Sequence, residues 1–185
     1  MRVYAMLLVG IAVLCGVLVM QLQNMVTPVQ ANTEIYRYFN KKQLTCLYDN
    51  IYHEARNQPI VGQMAVMYVT LNRVDDHRFP DTICEVVTQG PHRPSWKNLR
   101  KLVPIRHQCH FSWYCDGKSD EVTDQAAYDA IRYMVNEILM GSVKIFDITE
   151  GATHYHADYV SPSWANTKTK TVEIEDHIFY RWESN

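Results

Sequence analysis

The sequence lacks a basic excess, internal repeats and any strongly biased composition. Its 185 residues are 47% hydrophobic and 21% charged, with a formal net charge of −2 and an isoelectric point near 6.4. A nucleic-acid-binding domain usually carries a clear positive excess, so we expect no nucleic-acid partner. The length and apolar fraction instead predict one globular domain with an extension, and we expect it to be monomeric.

Charge is also missing from Val3 to Met20, which contains mostly aliphatic and Met side chains. This run has about the length that spans a bilayer as a helix. Arg2 precedes it, and no Lys or Arg follows until Arg37. The positive-inside rule therefore predicts that the rest of the chain lies across the cytoplasmic membrane.

The chain accordingly divides into three predicted parts. Residues 1–22 form a membrane anchor or signal segment, residues 23–40 a polar tether and residues 41–185 the folded domain. We expect an inner-membrane anchor with the folded domain in the periplasm or otherwise outside the cytoplasmic membrane. The alternative is secretion after cleavage near Ala31.

No pair of cysteines has the C-x-x-C spacing that is typical of structural metal sites. Apart from Cys15 in the apolar run, the chain has four cysteines: Cys46, Cys84, Cys109 and Cys115. An even number in an oxidising compartment predicts two disulfides, and the sequence leaves all three pairings open.

Helical periodicity dominates the first part of the folded domain. Apolar residues recur at helical spacing from Leu44 to Ala55, and residues 62–71 are apolar nearly all round, which indicates a buried helix. A short helix is predicted at 82–87 and a longer one at 123–140, with Thr123 as its cap and Gly141 as its stop.

The remaining segments predict loops and strands. Residues 90–107 contain Arg93, Lys97, Arg100, Lys101 and Arg106, three prolines and no acidic residue. This composition indicates a basic surface loop, either simply solvated or holding an anionic polymer. Beyond residue 141, aromatic and β-branched residues, with Val172 and Ile174 alternating, predict strands. Helices followed by a small β region indicate an α+β fold.

Glu54 lies at an unusual place in the first predicted helix. On a helical wheel it falls roughly 75° from the centre of the apolar stripe, near Ile51 and Ala55. A carboxyl group at this margin is partly desolvated, which raises its pKa and suits it to general acid catalysis. Helix position alone favours a surface glutamate paired with Arg56 or with a lysine.

A series of motifs from Cys46 to Trp182 resembles the SleB-type cell-wall hydrolases, the relatives of the spore cortex-lytic enzymes. The motifs occur in the expected order along the chain: Tyr52-His53-Glu54-Ala55-Arg56, Gly62-Gln63 with Ala65-Val66, Leu71-Asn72-Arg73-Val74, Phe79-Pro80, Cys84, Phe111-Ser112-Trp113, Gly151-Ala152-Thr153-His154-Tyr155, Trp164 and His177-Ile178-Phe179-Tyr180.

The resemblance implies a lysozyme-like catalytic domain that cleaves the glycan strands of peptidoglycan without a cofactor or metal. Glu54 would be the catalytic acid, in a lytic transglycosylase or a muramidase-type hydrolase. A two-carboxylate mechanism needs a second Asp or Glu about 5 to 10 Å away. None of the candidates lies in a nucleophile-like motif, so the single-acid route is favoured; these candidates are Asp116, Asp147, Glu150 and Asp158.

Sugars offer hydroxyls and C–H faces, so polar and aromatic side chains should contact the substrate. Four residues in the family-like motifs are candidates: Phe111, Ser112, Tyr155 and Trp164. Core packing is an equally good expectation for each aromatic residue taken singly.

Other functions remain open from the sequence. A zinc-dependent N-acetylmuramoyl-L-alanine amidase would use the histidines at positions 53, 154, 156 and 177, although His53-Glu54 is not part of an H-E-x-x-H motif. A cysteine amidase would use Cys46 or Cys115 as nucleophile. The domain would otherwise be a peptidoglycan-binding module without activity.

Overall fold

The computed structural model describes residues 39–142 and 146–183. None of the helices in this part of the chain is long and apolar enough to cross a membrane. The predicted anchor at Val3–Met20 and the cleavage position near Ala31 lie outside the described residues, as does nearly all of the tether.

The described residues form an α+β fold, as predicted. The elements, in chain order, are α1 Lys41–Ala55, α2 Ile60–Asp75, α3 Ile83–Val87, β1 His92–Pro94, β2 Leu102–Pro104, a 3-10 helix Ser112–Cys115, α4 Gln125–Leu139, β3 His154–Ala157, a 3-10 helix Ser163–Thr167, β4 Thr169–Ile174 and β5 His177–Arg181.

Helix α1 lies at the centre of the helical part and packs against α2, α3 and α4. Its apolar stripe is fully buried, with Leu44, Leu47 and Ile51 each 0% exposed. The first turn is capped because the side chain of Asn40 accepts a hydrogen bond from the backbone N–H of Gln43. The predicted amphipathic helix is confirmed.

Two tyrosine hydroxyls fix α4 against α1. Tyr48 donates a hydrogen bond to Oδ1 of Asn136 at 2.7 Å, and Tyr128 donates one to Oδ1 of Asp49 at the same distance. Asn50, which is buried in α1, accepts from the indole N–H of Trp113 and donates to the hydroxyl of Thr70 in α2. These polar groups between the helices are therefore paired.

The antiparallel sheet β3-β5-β4 packs against α2. Tyr155 lies opposite Phe179 in the β3–β5 register, and His154 lies opposite Tyr180. Ala65 and Val69 of α2 form one buried cluster with Phe179, and Tyr155 packs against it. Because side chains alternate across a strand, His154 and Tyr180 point to the opposite face of the sheet.

The basic segment 90–107 contains a hairpin that the sequence did not predict. Strands β1 and β2 pair antiparallel, with His92 opposite Pro104 and Pro94 opposite Leu102. Prolines are tolerated here because a two-stranded sheet consists of edge strands alone. The hairpin is too short, and too rich in proline and charge, to show an alternating pattern.

The predicted cap of the long helix is displaced by one residue. Asp124, not Thr123, accepts a hydrogen bond from the backbone N–H of Ala127. Thr123 instead donates its backbone N–H to the hydroxyl of Tyr52, because this hydroxyl approaches the start of α4 from α1. The stop at Gly141 is confirmed, since it follows the helix with a φ of 70°, which favours glycine.

Of the three pairings left open by the sequence, the structure has Cys46–Cys84 and Cys109–Cys115. The first bond joins α1 to α3 across 38 residues, and the second closes a loop of 6 residues. A longer closed loop removes more conformational entropy from the unfolded chain. The two disulfides should therefore stabilise the domain unequally.

We expect the double substitution Cys46→Ala, Cys84→Ala to lower the free energy of unfolding by about 4 kcal/mol, and Cys109→Ala, Cys115→Ala by about 2 kcal/mol. Urea denaturation followed by tryptophan fluorescence measures both values, and each variant serves as the comparison for the other. An equal loss in the two variants, or a larger loss for the short loop, contradicts this ranking.

Candidate active site

Glu54 lies in the last turn of α1, at the border between the buried and the exposed side of the helix. Its neighbour Ala55 is 2% exposed, while Arg56, the next residue, is exposed. The side chain of Glu54 is partly accessible to solvent, as its position at the margin of the apolar stripe predicted. Arg56 is not its ion-pair partner: the guanidinium lies over the ring of Tyr52, 4.9 Å from its centroid.

Tyr155 in β3 is the hydrogen-bond partner of the Glu54 carboxyl. Its hydroxyl donates to Oε2 of Glu54 at 2.7 Å. The ring is held on the α2 side of the sheet, where its centroid lies 5.5 Å from that of Phe179 and 5.1 Å from that of His177. The sheet thus holds the Tyr155 hydroxyl in position to donate to the Glu54 carboxyl, which belongs to helix α1.

A buried arginine in α2 supports the pair. Arg73 is only 6% exposed, and its Nε donates to the backbone oxygen of Thr153 at 2.7 Å. The guanidinium carbon lies 4.7 Å from the ring centroid of Phe111 and 5.4 Å from that of Phe79. Its Nη1 has no hydrogen-bond partner among the described residues, so the charge is only partly compensated.

These three groups shift one another's pKa values. Burial raises the pKa of Glu54, while the hydrogen bond from Tyr155 and the positive charge of Arg73 oppose that rise. Burial and the nearby Glu54 charge raise the pKa of Tyr155 well above its usual range. Burial lowers the pKa of Arg73 to about 10, which leaves it cationic at neutral pH. The Glu54 carboxyl therefore keeps its proton to higher pH than an exposed glutamate does. When it loses the proton, the Tyr155 hydroxyl and the Arg73 charge stabilise the carboxylate.

Glu54 opens into a cavity of about 280 Å³ between the end of α1 and the sheet. Asp176 and His177, at the start of β5, line the same cavity. Burial lowers the pKa of His177, against the opposing effect of Asp176 and Asp158, and favours the neutral ring. The cavity wall thus combines a neutral imidazole with carboxyl groups in place of an apolar lining.

A second cavity, of about 230 Å³, shares His53 and Arg56 with the first. Trp113 lines it and stacks on His53, with ring centroids 4.4 Å apart and planes inclined by 19°. The shared lining residues show that the two cavities are adjacent. An aromatic face in such a cavity is suited to stacking on a sugar ring.

Only one of the four predicted substrate residues contacts Glu54. Tyr155 does so through its hydroxyl. Phe111 is 1% exposed and lies against Arg73, so it has no surface to offer a sugar and acts as a support. Ser112 is exposed at the start of a 3-10 helix, next to Trp113.

Trp164 lies on the other side of the sheet from Tyr155. Its ring packs on His154 and His156, with centroid distances of 5.3 Å and 5.6 Å. Both histidines point away from the face that carries Tyr155, because side chains alternate along β3. Trp164 therefore lies on the sheet face opposite to Tyr155, and its contact with substrate stays a prediction.

The four candidates for a second carboxylate do not line the cavity at Glu54. Asp147 accepts from the side chain of Asn72 and from the backbone N–H groups of Thr149 and Gly151, which makes it the centre of a turn. Asp116 lines the second cavity and not the one that contains Glu54. Glu150 and Asp158 are exposed and line neither of these cavities.

The acidic residue that shares the cavity with Glu54 is Asp176, which sequence analysis missed. It follows Glu175, whose φ of 50° marks the tight connection between β4 and β5. Its Oδ2 accepts from the side chain of Gln58 at 3.0 Å. Acidic residues in hairpin connections are common, so nothing in the sequence distinguished it.

The histidines and cysteines considered for amidase mechanisms have other roles. His156 is hydrogen-bonded to the hydroxyl of Tyr180 at 3.0 Å, and burial lowers the pKa of His154 to about 3. Among residues 39–142 and 146–183, no group of three or more His, Cys, Asp or Glu side chains is arranged to hold a metal ion. Cys46 and Cys115 are both in disulfides, so neither is a free thiol nucleophile.

Arg73 is the other site residue that sequence analysis missed, although a signal exists. Ala65, Val69 and Arg73 are spaced four apart and share one face of a helix that is apolar nearly all round. A cation on such a face is rarely buried without a partner of opposite charge or a set of acceptors. The helical period of α2 could therefore have pointed to a buried charge.

We expect Tyr155→Phe to raise the pKa of Glu54 further, because the hydroxyl that it removes stabilises the carboxylate form. A carbon-13 NMR titration of glutamate carboxyl groups, with Glu54 assigned from the Glu54→Gln spectrum, measures the change. Tyr180→Phe is the matched control, since its hydroxyl bonds His156 instead. An unchanged or lowered pKa in Tyr155→Phe would show that the hydrogen bond does not act on the carboxylate.

Comparison with curated proteins gives relatives of one kind. A spore cortex-lytic enzyme from Halalkalibacterium halodurans is 26% identical over 152 residues, which are 82% of this chain and 38% of the relative. Another from Bacillus cereus is 24% identical over 153 residues, 82% of this chain and 49% of the relative. The chain thus spans about half or less of the length of these relatives.

Solved structures agree with the sequence comparison. The catalytic domain of the germination-specific lytic transglycosylase SleB from Bacillus anthracis superposes with a TM-score of 0.53 at 25% identity, covering 77% of this chain and 97% of that one. The SleB catalytic domain from Bacillus cereus matches with the same TM-score and identity, over 77% and 92% of the two chains.

A sequence model of the Cell Wall Hydrolase family matches residues 57–180, which is more than half of the chain. The matched segment begins just after Glu54 and includes Arg73, Tyr155, Asp176 and His177. The similar relatives, the similar catalytic domains and this match agree, and the chain belongs to the Cell Wall Hydrolase family.

Proposed function

We propose that this protein cleaves the glycan strands of peptidoglycan, with Glu54 as general acid and base. The observation that carries the proposal is the half-buried Glu54 carboxyl at a cavity, hydrogen-bonded to Tyr155 and close enough to buried Arg73 for its positive charge to lower the pKa of Glu54. Membership of the Cell Wall Hydrolase family supplies the substrate class. The similar Bacillus anthracis domain is from a lytic transglycosylase, which favours transglycosylation here.

The first step needs a protonated carboxyl. Burial keeps the proton on Glu54 at higher pH than on an exposed glutamate, so that it is available for the glycosidic oxygen. As the oxygen takes the proton, the bond to the anomeric carbon breaks and its electron pair stays on the oxygen. Positive charge develops on the sugar while Glu54 becomes a carboxylate, which the Tyr155 hydroxyl and Arg73 stabilise.

The second step uses the same carboxylate as a base. Glu54 takes the proton of the muramic 6-hydroxyl, and this oxygen attacks the anomeric carbon of the same sugar. The product carries an anhydromuramic end, no water is consumed, and Glu54 is protonated again for the next turnover. A water molecule in place of the 6-hydroxyl would give a reducing end and a muramidase-type hydrolysis.

The lining of the two cavities supports binding of a polymer in place of a small molecule. Together the cavities extend from Asp176 and His177, through His53 and Arg56, to Trp113. The cavity at Glu54 therefore has a second cavity beside it, and the pair offers room for more than one sugar of a strand. The stacked pair of His53 and Trp113 offers a flat face on one side of the carboxyl.

We expect Glu54→Gln to reduce the release of muropeptides from purified peptidoglycan by about 100-fold or more, because the amide keeps the shape but has no proton to give. Mass spectrometry of the soluble products measures release and identifies the ends of the strands. Glu173→Gln, an exposed glutamate in β4, is the matched control and should retain activity.

The products also distinguish the alternatives. Anhydromuramic ends support transglycosylation, reducing ends support hydrolysis, and free stem peptides would indicate an amidase. Intact strands that retain bound wild-type protein would indicate a binding module without activity. Cleavage by Glu54→Gln at the wild-type rate would remove Glu54 from the mechanism.

A single-acid route also predicts the behaviour of Asp176. We expect Asp176→Asn to keep its activity within about tenfold of the wild type, with the same ends on the product, since Glu54 handles both proton transfers. A loss as large as that of Glu54→Gln would mean that Asp176 is a second catalytic carboxylate. Circular dichroism of both variants checks that the fold is intact.

A further inference from the structure

The β1–β2 hairpin and its connecting loop form a cationic surface with exposed apolar residues. From Gly90 to His107 the chain has five Lys and Arg residues and no acidic residue, although the net charge of the whole protein is −2. The salt bridges in the described part of the chain include none for Arg93, Lys97, Arg100 or Lys101. Their charge is therefore not neutralised by a neighbouring carboxylate within the fold.

The apolar residues of the hairpin are unusually exposed. Trp96 is 81% exposed, Leu99 76% and Leu102 62%, all within seven positions of one another. Tryptophan is one of the residues that folded proteins bury most on average. The ammonium of Lys97 lies 5.0 Å from the Trp96 ring centroid, so cation and ring are presented together.

The tip of the hairpin is ordered by its own hydrogen bonds. Ser95 donates its backbone N–H to the oxygen of Lys101 at 2.8 Å, and Lys101 donates to the oxygen of Asn98 at 2.9 Å. The side chain of Asn98 also accepts from the backbone N–H of Arg100. The exposed residues thus sit on a folded turn, which lowers the entropy lost when they bind a partner.

We propose that the loop between β1 and β2, residues 95–101 with Leu102, docks on an anionic lipid bilayer. Lys and Arg near such a surface are attracted to the phosphate headgroups, and Trp and Leu are buried at the boundary with the acyl chains. Charge complementarity favours an acidic partner, and the three exposed apolar side chains favour lipid over a hydrophilic polyanion. The sequence independently predicts a membrane segment at Val3–Met20, and such a segment would tether the domain to a bilayer.

The test measures contact between Trp96 and lipid in the full-length protein. The protein is reconstituted into vesicles of phosphatidylcholine alone or of phosphatidylcholine with phosphatidylglycerol, in each case with lipids brominated on the acyl chain. The signal of Trp96 is the difference between wild type and Trp96→Phe. We expect quenching and a blue shift of this signal in anionic vesicles, loss of both at high salt, and neither in neutral vesicles.

Two double substitutions with equal change of charge separate the local effect from the global one. Lys97→Glu, Lys101→Glu should abolish the quenching, while Arg132→Glu, Lys170→Glu, at exposed positions elsewhere, should keep it. Absence of quenching in anionic vesicles, or equal quenching in neutral ones, overturns the proposal. Soluble polyglycerol phosphate can also be added to the protein in neutral vesicles. A blue shift of the Trp96 fluorescence on this addition would identify an anionic polymer as the partner and would overturn the lipid proposal.

Discussion

The side chain of Arg73 projects from the face of α2 that packs against the sheet, and it is nearly excluded from solvent. A buried cation is costly unless acceptors and opposite charge surround it. The oxygen of Thr153, the faces of Phe79 and Phe111 and the carboxyl of Glu54 provide that environment. This requirement links α1 to the start of β3, because moving either element would leave the cation uncompensated.

The same arrangement places a stability cost on the site. The folded state raises the pKa of Glu54 above its ordinary value of 4.5, so it binds the proton more tightly than the unfolded chain does. Stability is therefore lost as pH rises from that value through the higher folded pKa. The Cys46–Cys84 bond and the buried stripe of α1 hold the helix in spite of this cost. A folded state that desolvates a carboxyl group thus depends on stabilising contacts elsewhere.

The features of this structure that were predictable are those that local sequence periodicity determines. The helices α1, α2 and α4 follow from 3.6-residue patterns, and the margin position of Glu54 follows from the same wheel. The pairing of cysteines and the side of the sheet on which Tyr155 and Trp164 lie depend on how elements pack. Asp176 joins the cavity only because the connection between β4 and β5 folds towards the end of α1. The hydrogen bonds Tyr155–Glu54 and Gln58–Asp176 join residues more than 100 positions apart, where sequence pattern carries no geometric information.

The loop closed by Cys109 and Cys115 connects the cationic hairpin to the support of the site. Gly90 lies against it so closely that an added Cβ would be 3.0 Å from the Cα of Cys109, and His107 donates its N–H to the oxygen of Cys115. The same loop carries Phe111, which underlies Arg73, and Trp113, which stacks on His53. One short disulfide-closed segment therefore holds the base of the hairpin, the floor beneath the buried cation and one wall of the second cavity.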